Sequence, residues 1–200
     1  MTLERTTKLA AVNSIISAGG DSAVTSLEGS RPASAIQGEN ILDETVKELQ
    51  LTDWAFNTDL KLTLVRNVDN KIPITGNVVR VILNRFDDCN YFVAIRGDWL
   101  YDRNEASFVF TKDFTEVKVT YQLEWDELPE VARNYCKQRA ARIYLDRTAP
   151  NNFQGGTSRQ DEETALVILR RDEGLVGKHS MRDSLHAAGI LNRSNNHGTY

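Results

Sequence analysis

Leu128–Thr148, LPEVARNYCKQRAARIYLDRT, is the longest uninterrupted helical pattern in the chain, and any fold must be built around it. Pro129 suits a first helical turn, where its missing N–H has no partner to lose. Asp126, Glu127 and Glu130 place negative charge at the N-terminal end, which the helix dipole favours. Ala132, Cys136, Ala140, Ile143 and Tyr144 recur at the spacing of one helical face. The other face carries Arg133, Lys137, Arg139, Arg142 and Arg147, and Pro150 stops the run. At ~1.5 Å per residue such a helix is roughly 30 Å long, enough to cross a small domain. Small residues in its stripe let another helix approach closely. The basic face reads either as a solvated surface or as one that meets an acidic neighbour, in this chain or in another copy.

Composition bounds what surrounds this helix. Two hundred residues, 40% hydrophobic and 26% charged, suffice for a true core. The net charge of −4 argues against a protein that grips duplex DNA by its phosphates, which needs a basic surface. Cys89 and Cys136 lack CxxC spacing, and no signal peptide is recognisable, so a compartment that needs no disulfide framework fits. The N-terminus is too short and too charged to span a membrane, and no other apolar run reaches spanning length.

Taken in order, Thr6 to Ala18 reads as a helix ended by Gly19-Gly20. Val24 and Leu27 pin the connector that follows. Ser34 to Gln37 has the capping-box pattern, and the second helix runs from there to about Leu51. Its inner face is Ala35, Gly38, Leu42, Val46 and Leu49. Asp43, Glu44, Lys47 and Glu48 make an acidic outer face that complements the basic face of the third helix. From Trp54 the hydrophobic period falls to two. Leu60, Leu62 and Leu64 alternate with polar residues as in a half-buried strand. Further strands are expected over Asn77–Asn84, on both sides of a two-residue Gly97-Asp98 turn, at Ser107–Phe110, and over Val117–Leu123. Short links imply an antiparallel meander. After a turn-rich stretch at Ala149–Thr157, Ser158 and Asp161 open a fourth helix whose Ala165, Leu166 and Leu169 face inward. Met181 to Ala188 allows a short further helix, and Asn192 to Tyr200 reads as a tail ordered only by a partner.

The expected fold class is therefore α+β. Two N-terminal and two C-terminal helices form a four-helix bundle, with an inserted antiparallel β-meander of five to six strands and a polar C-terminal tail. Residues 1–53 and 126–176 make a discontinuous helical domain, 54–125 the β domain, and 177–200 the tail.

Signatures of chemistry are sparse. The sequence has no GxSxG, HExxH, P-loop or dinucleotide fingerprint, and no cofactor or metal site is expected. Gly155-Gly156-Thr157 lacks the lysine of a phosphate loop and reads as a turn. His179, His186 and His197 all fall in the polar tail without metal-ligand spacing. Cys136 lies on an apolar helix face and reads as a small buried hydrophobe. Asp87-Asp88 and Asp126-Glu127 are paired acids of the kind a glycosidase uses, but such pairs are common in turns and at helix starts.

Four stretches, in order, carry a resemblance. LAAVNSIISAGGDSAVTSLEG (Leu9–Gly29), DWAFNTDLKLTL (Asp53–Leu64), WLYDR (Trp99–Arg103) and DELPEVARNYCKQRAARIYLDR (Asp126–Arg147) together resemble the tail tubular protein A family of short-tailed bacteriophages. The resemblance runs to about Asp172. It implies a structural virion protein assembled in the host cytoplasm, not an enzyme. Family members form a dodecameric ring that joins the portal protein to the tail nozzle, tail tubular protein B. Tail fibres attach near that junction, and double-stranded DNA passes through the lumen unread. On that implication the candidate contact residues are Asp43, Glu44 and Glu48 on one helix and Arg133, Lys137 and Arg142 on another. Lys178, His179, Arg182 and Arg193 in the tail are candidates for a neighbour or the portal. The rival readings are a tail-mounted carbohydrate hydrolase and a host-surface glycan-binding module.

Overall fold

The computed structural model describes residues 5–84, 88, 90–148 and 155–176. Four helices, α1 (Lys8–Ala18), α2 (Ala33–Leu49), α3 (Glu130–Thr148) and α4 (Gly155–Val176), flank five strands. These are β1 (Thr58–Leu64), β2 (Val78–Ile82), β3 (Val93–Arg96), β4 (Trp99–Asp102) and β5 (Phe114–Tyr121). The α+β class thus stands, with antiparallel strands between two pairs of helices. The short helix read at Met181–Ala188 lies outside the described residues.

Helix α3 packs against all three other helices. Its Ala132, Cys136, Ala140 and Tyr144 are buried, as their spacing requires, in one core with Val12, Ile15 and Ile16 of α1 and Ile41, Leu42 and Val46 of α2. α1 begins on Thr7, whose hydroxyl accepts the Ala10 N–H. It ends in paired bonds, Gly20 N–H to Ser17 O and Asp21 N–H to Ile16 O, with Gly20 at φ +87°. That is the Schellman pattern, and only the second glycine is left-handed. Gly19 is needed for space, since a Cβ there would lie 2.6 Å from a Tyr144 ring carbon. Asn13 grips the connector by bonding both the N–H and the C=O of Val24. α2 departs from the capping-box expectation. Its N-cap is Pro32 and no side chain caps it. Proline fixes the entering backbone instead, and Ser34 falls inside the first turn. α4 starts at Gly155, so the stretch read as a Gly-Gly-Thr turn is helical backbone. Glycine does not forbid that conformation; it only raises its entropic cost.

The strands differ from a simple meander. β5 lies in the middle of a three-stranded sheet, antiparallel to both β1 and β2, while β3 and β4 form a separate hairpin. The strand last in sequence takes the centre because it is the most buried: Phe114, Val117, Val119 and Thr120 are all inside. Ser107–Phe110 is not a strand; it contributes single bridges at Ser107 and Val109. The Gly97-Asp98 turn is as expected, with Gly97 at φ +59°. β1 breaks its alternation. Lys61 sits at φ +69° and the register with β5 shifts between Asp59 and Leu62. This bulge leaves Leu62 and Leu64 half-buried and turns Leu60 outward, 69% exposed. A second apolar cluster, of Ile72, Leu100, Phe110, Phe114 and Val117 among others, fills the strand region.

The chain passes between the two clusters twice, and buried polar groups bind the crossings. Gln50, fully buried, donates to Leu123 O at 3.0 Å and accepts from Leu123 N at 2.7 Å. Asn57 donates to Gln50 O and Tyr121 O and accepts from Trp54 N. Asp53 meets Lys118 at 2.9 Å, Arg80 at 2.7 Å and the Thr120 hydroxyl at 2.8 Å. From α4, both Glu173 carboxylate oxygens accept the Ala55 N–H.

Two outcomes follow from this packing. At Gly38 a Cβ would lie 2.9 Å from the Ile16 Cγ2 where α1 crosses α2. Gly38→Val is therefore expected to cost about 1–3 kcal/mol by overpacking, read from urea unfolding. At Asp53 burial pushes the carboxyl up, but the Lys118, Thr120 and Arg80 partners outweigh it and hold the pKa below the usual carboxylate range. Its contribution is thus complete above the unfolded pKa of about 3.9 and is lost as pH falls through the lower folded value. Asp53→Asn is expected to melt earlier at pH 7, with the gap to wild type closing below pH 4. A gap that persists unchanged in acid would contradict this.

Candidate assembly surface

Among the described residues two ion pairs join the charged faces of α2 and α3, and other charges on them pair with α1 and α4. Glu48 of α2 pairs with Arg139 of α3 at 2.9 Å, and Arg139 also reaches Glu162 of α4 at 3.4 Å. Arg142 pairs with the same Glu162 and with Asp146 at 2.8 Å. Glu44 lies 3.7 Å from Arg147, and Asp43 pairs with Lys8 of α1 at 2.9 Å. Lys8 and Arg31 converge on Glu39. Burial pushes the Glu39 carboxyl up, but these two cations outweigh it and hold its pKa low. Each of the three acids of α2 has a cation beside it within the chain.

Arg133 corrects the reading of α3's basic face. It is 2% exposed. Its Nε donates to Leu128 O at 3.0 Å, one terminal nitrogen to Thr6 O at 3.0 Å, and the other to Asp126 O at 2.7 Å. Its guanidinium also lies 5.8 Å from the centre of the Trp125 ring, whose own N–H donates to Thr6 O. The α1–α3 contact covers it, so the residue closes the helix N-terminus and does not face a partner. Glu130 beside it accepts both the N–H and the hydroxyl of Thr6. Those bonds outweigh burial and lower its pKa. Lys137 is half-buried and makes no ion pair among the described residues. Lys178, His179, Arg182 and Arg193 lie outside the described residues, as do Asp87 and Cys89.

Of the acids singled out for catalysis, Asp88 and Glu127 make structural bonds. Asp88 is 4% exposed and ion-paired with Lys112. Glu127 accepts the Glu124 N–H and so caps a single 3-10 turn. Clefts lined by described residues include three. One of about 500 Å³ is lined by Val81, Ile82, Asp88, Phe92 and Arg103. A second, also about 500 Å³, lies between α2 and α4 over Tyr135 and Arg139. The third, about 320 Å³, follows the outer side of α2 from Ala33 to Glu44. Among the described residues each is lined by one carboxylate, whereas glycoside cleavage takes two. No group of three or more metal-ligating side chains occurs among the described residues, and no described helix is long and apolar enough to cross a membrane. Burial pushes the Cys136 thiol up to about 12, so it is held as the thiol. In WLYDR, Asp102 is 2% exposed and accepts the Asn104 N–H, which forms a turn and leaves no reactive group.

What stays exposed is apolar: Ile36 on α2; Leu60, Ile82 and Phe92 in the strand region; and Val167, Ile168 and Leu175 on α4. Sequence reading missed these because periodicity locates one apolar face per element, and α4 has a second. It also missed Gln50, Asn57 and Glu173, single polar residues whose partners are distant in sequence.

No curated protein matches the chain. The family described as tail tubular protein matches residues 9–178, slightly beyond the stretch that carries the resemblance read from sequence. The chain belongs to the tail tubular protein family and is a structural protein of the bacteriophage virion tail.

Proposed function

We propose that this chain is the subunit of a dodecameric adaptor ring between the portal protein and the tail nozzle of a short-tailed phage. The observation that carries this reading is the family match over residues 9–178. The physics supports it in two respects. The α2 and α3 charges are neutralised internally, which leaves exposed apolar side chains for contacts with copies and neighbours. The mildly acidic balance keeps a lumen from gripping the phosphates of passing DNA, which a basic lining would hold. A closed ring needs a heterologous interface, in which two different faces of each subunit meet. The discontinuous helical part, residues 1–53 and 126–176, makes the subunit contacts, and the strand region, 54–125, projects toward nozzle and fibre proteins. Residues 178–200, with Lys178, His179, Arg182 and Arg193, dock on a neighbour or on the portal.

Light scattering of the full chain with and without its portal tests the reading. A species of twelve 22.5 kDa subunits, about 270 kDa, is expected with the portal present or after its removal. A chain that stays monomeric under both conditions would contradict the ring. Since Arg142 serves its own subunit, charge reversal at Arg142 is expected to lower the melting temperature, while Lys137→Glu is expected to leave it unchanged and to act on assembly alone.

A further inference from the structure

Helix α4 has two apolar sides. Ala165 and Leu169 are buried in the helical core, with Leu166 half-buried beside them. On the opposite side Val167, Ile168 and Leu175 are 63%, 47% and 74% exposed. With Thr164 and Arg171 they lie in one stripe about 100° wide at 3.6 residues per turn. Single exposed apolar residues are ordinary, but a row of them along one helix marks a contact surface. α2 offers a counterpart. Its outer side carries the groove of about 320 Å³, with Ile36, 43% exposed, among Ala33, Asn40 and Glu44.

Charge selects between the ways of covering this stripe. Arg171 stands at its middle and makes no ion pair among the described residues. Two copies of α4 packed antiparallel about a two-fold axis at that point would set Arg171 against Arg171, which is repulsive. The α2 groove instead has Glu44 at its lip, 64% exposed in its side chain, with Arg147, the one cation among the described residues lining the groove, at a long 3.7 Å from it. We propose that the outer stripe of α4 seats in the α2 groove of a second copy, with Val167 and Ile168 against Ile36 and Arg171 beside Glu44. Stripe and groove are different surfaces, so each copy offers both at once and the contact propagates around a ring. This inference rests on the adaptor reading and adds the surfaces that join its subunits.

The test uses the full chain in a Cys89→Ser background, mixed with its portal and mildly oxidised. The buried Cys136 thiol does not interfere. Ile36→Cys with Ile168→Cys is expected to give a ladder of disulfide-linked species up to ring size on a non-reducing gel, and neither single variant a ladder. Arg171→Glu is expected to weaken assembly by roughly tenfold with an unchanged melting temperature, and adding Glu44→Arg to restore it. A dimer from Ile168→Cys alone would mean symmetric α4 packing and overturn the proposal. A ring-sized species that runs as monomer on the gel would overturn it too, and leave the adaptor reading standing. If nothing larger than a monomer forms, the adaptor reading falls and the inference with it.

Discussion

The arrangement of the helices depends on one buried cation. Arg133 has no carboxylate at its head; three backbone carbonyls, from Thr6, Asp126 and Leu128, hold it instead. A buried charge is tolerated only when its hydrogen-bonding groups are satisfied, and here all three partners come from segments that must meet. Thr6 precedes α1. Asp126 and Leu128 precede α3. The guanidinium therefore fixes where the first and third helices begin relative to each other, and Trp125 and Glu130 bind the same Thr6. Once those starts are fixed, the small residues of α3 lie against α1 and α2, and Gly38 lets those two approach.

How far this was legible from sequence follows from the range of each signal. Helix faces are local, and the period of Ala132, Cys136, Ala140 and Tyr144 gave the buried side of α3 directly. The same wheel put Arg133 outside, because a wheel counts residues on one helix and knows nothing of the chain segment that folds over its first turn. The alternation of Leu60, Leu62 and Leu64 is likewise local, but the bulge at Lys61 is set by pairing with β5, more than fifty residues later. Strand order has the same character. Alternation identifies strands and leaves their neighbours open, so a meander and the observed β1-β5-β2 order look alike in sequence. The polar groups at the crossings were invisible for this reason: Gln50 and Leu123 are joined by two hydrogen bonds across 73 residues of chain.

The candidate surface shows the same division between local and distant information. Complementary acidic and basic faces on α2 and α3 were plain from spacing, but spacing does not say whether they meet inside one subunit or between two. They meet inside. Exposed pairs of this kind contribute little individually, at most about 1 kcal/mol, but Arg139 and Arg142 share Glu162 and so link α2, α3 and α4 in one network. Neutralising these faces internally has a consequence for assembly. In the ring proposed above, contacts between subunits would then draw on apolar surface, with isolated charges fixing register.

That division of labour would suit the ring proposed for this chain, with a nucleic acid in its lumen. Charge pairs between subunits would be screened by salt and would compete with the phosphates of the passing duplex. Apolar contacts are indifferent to both. They also explain why α4 is apolar on two sides. One side completes the core through Ala165 and Leu169, and on the other Val167, Ile168 and Leu175 stay exposed among the described residues. In the contact proposed above, Arg171 is the one charge amid apolar neighbours that disfavours pairing of α4 with itself. In this way a single side chain can set the direction of assembly, because it makes the symmetric contact repulsive and leaves the head-to-tail one open.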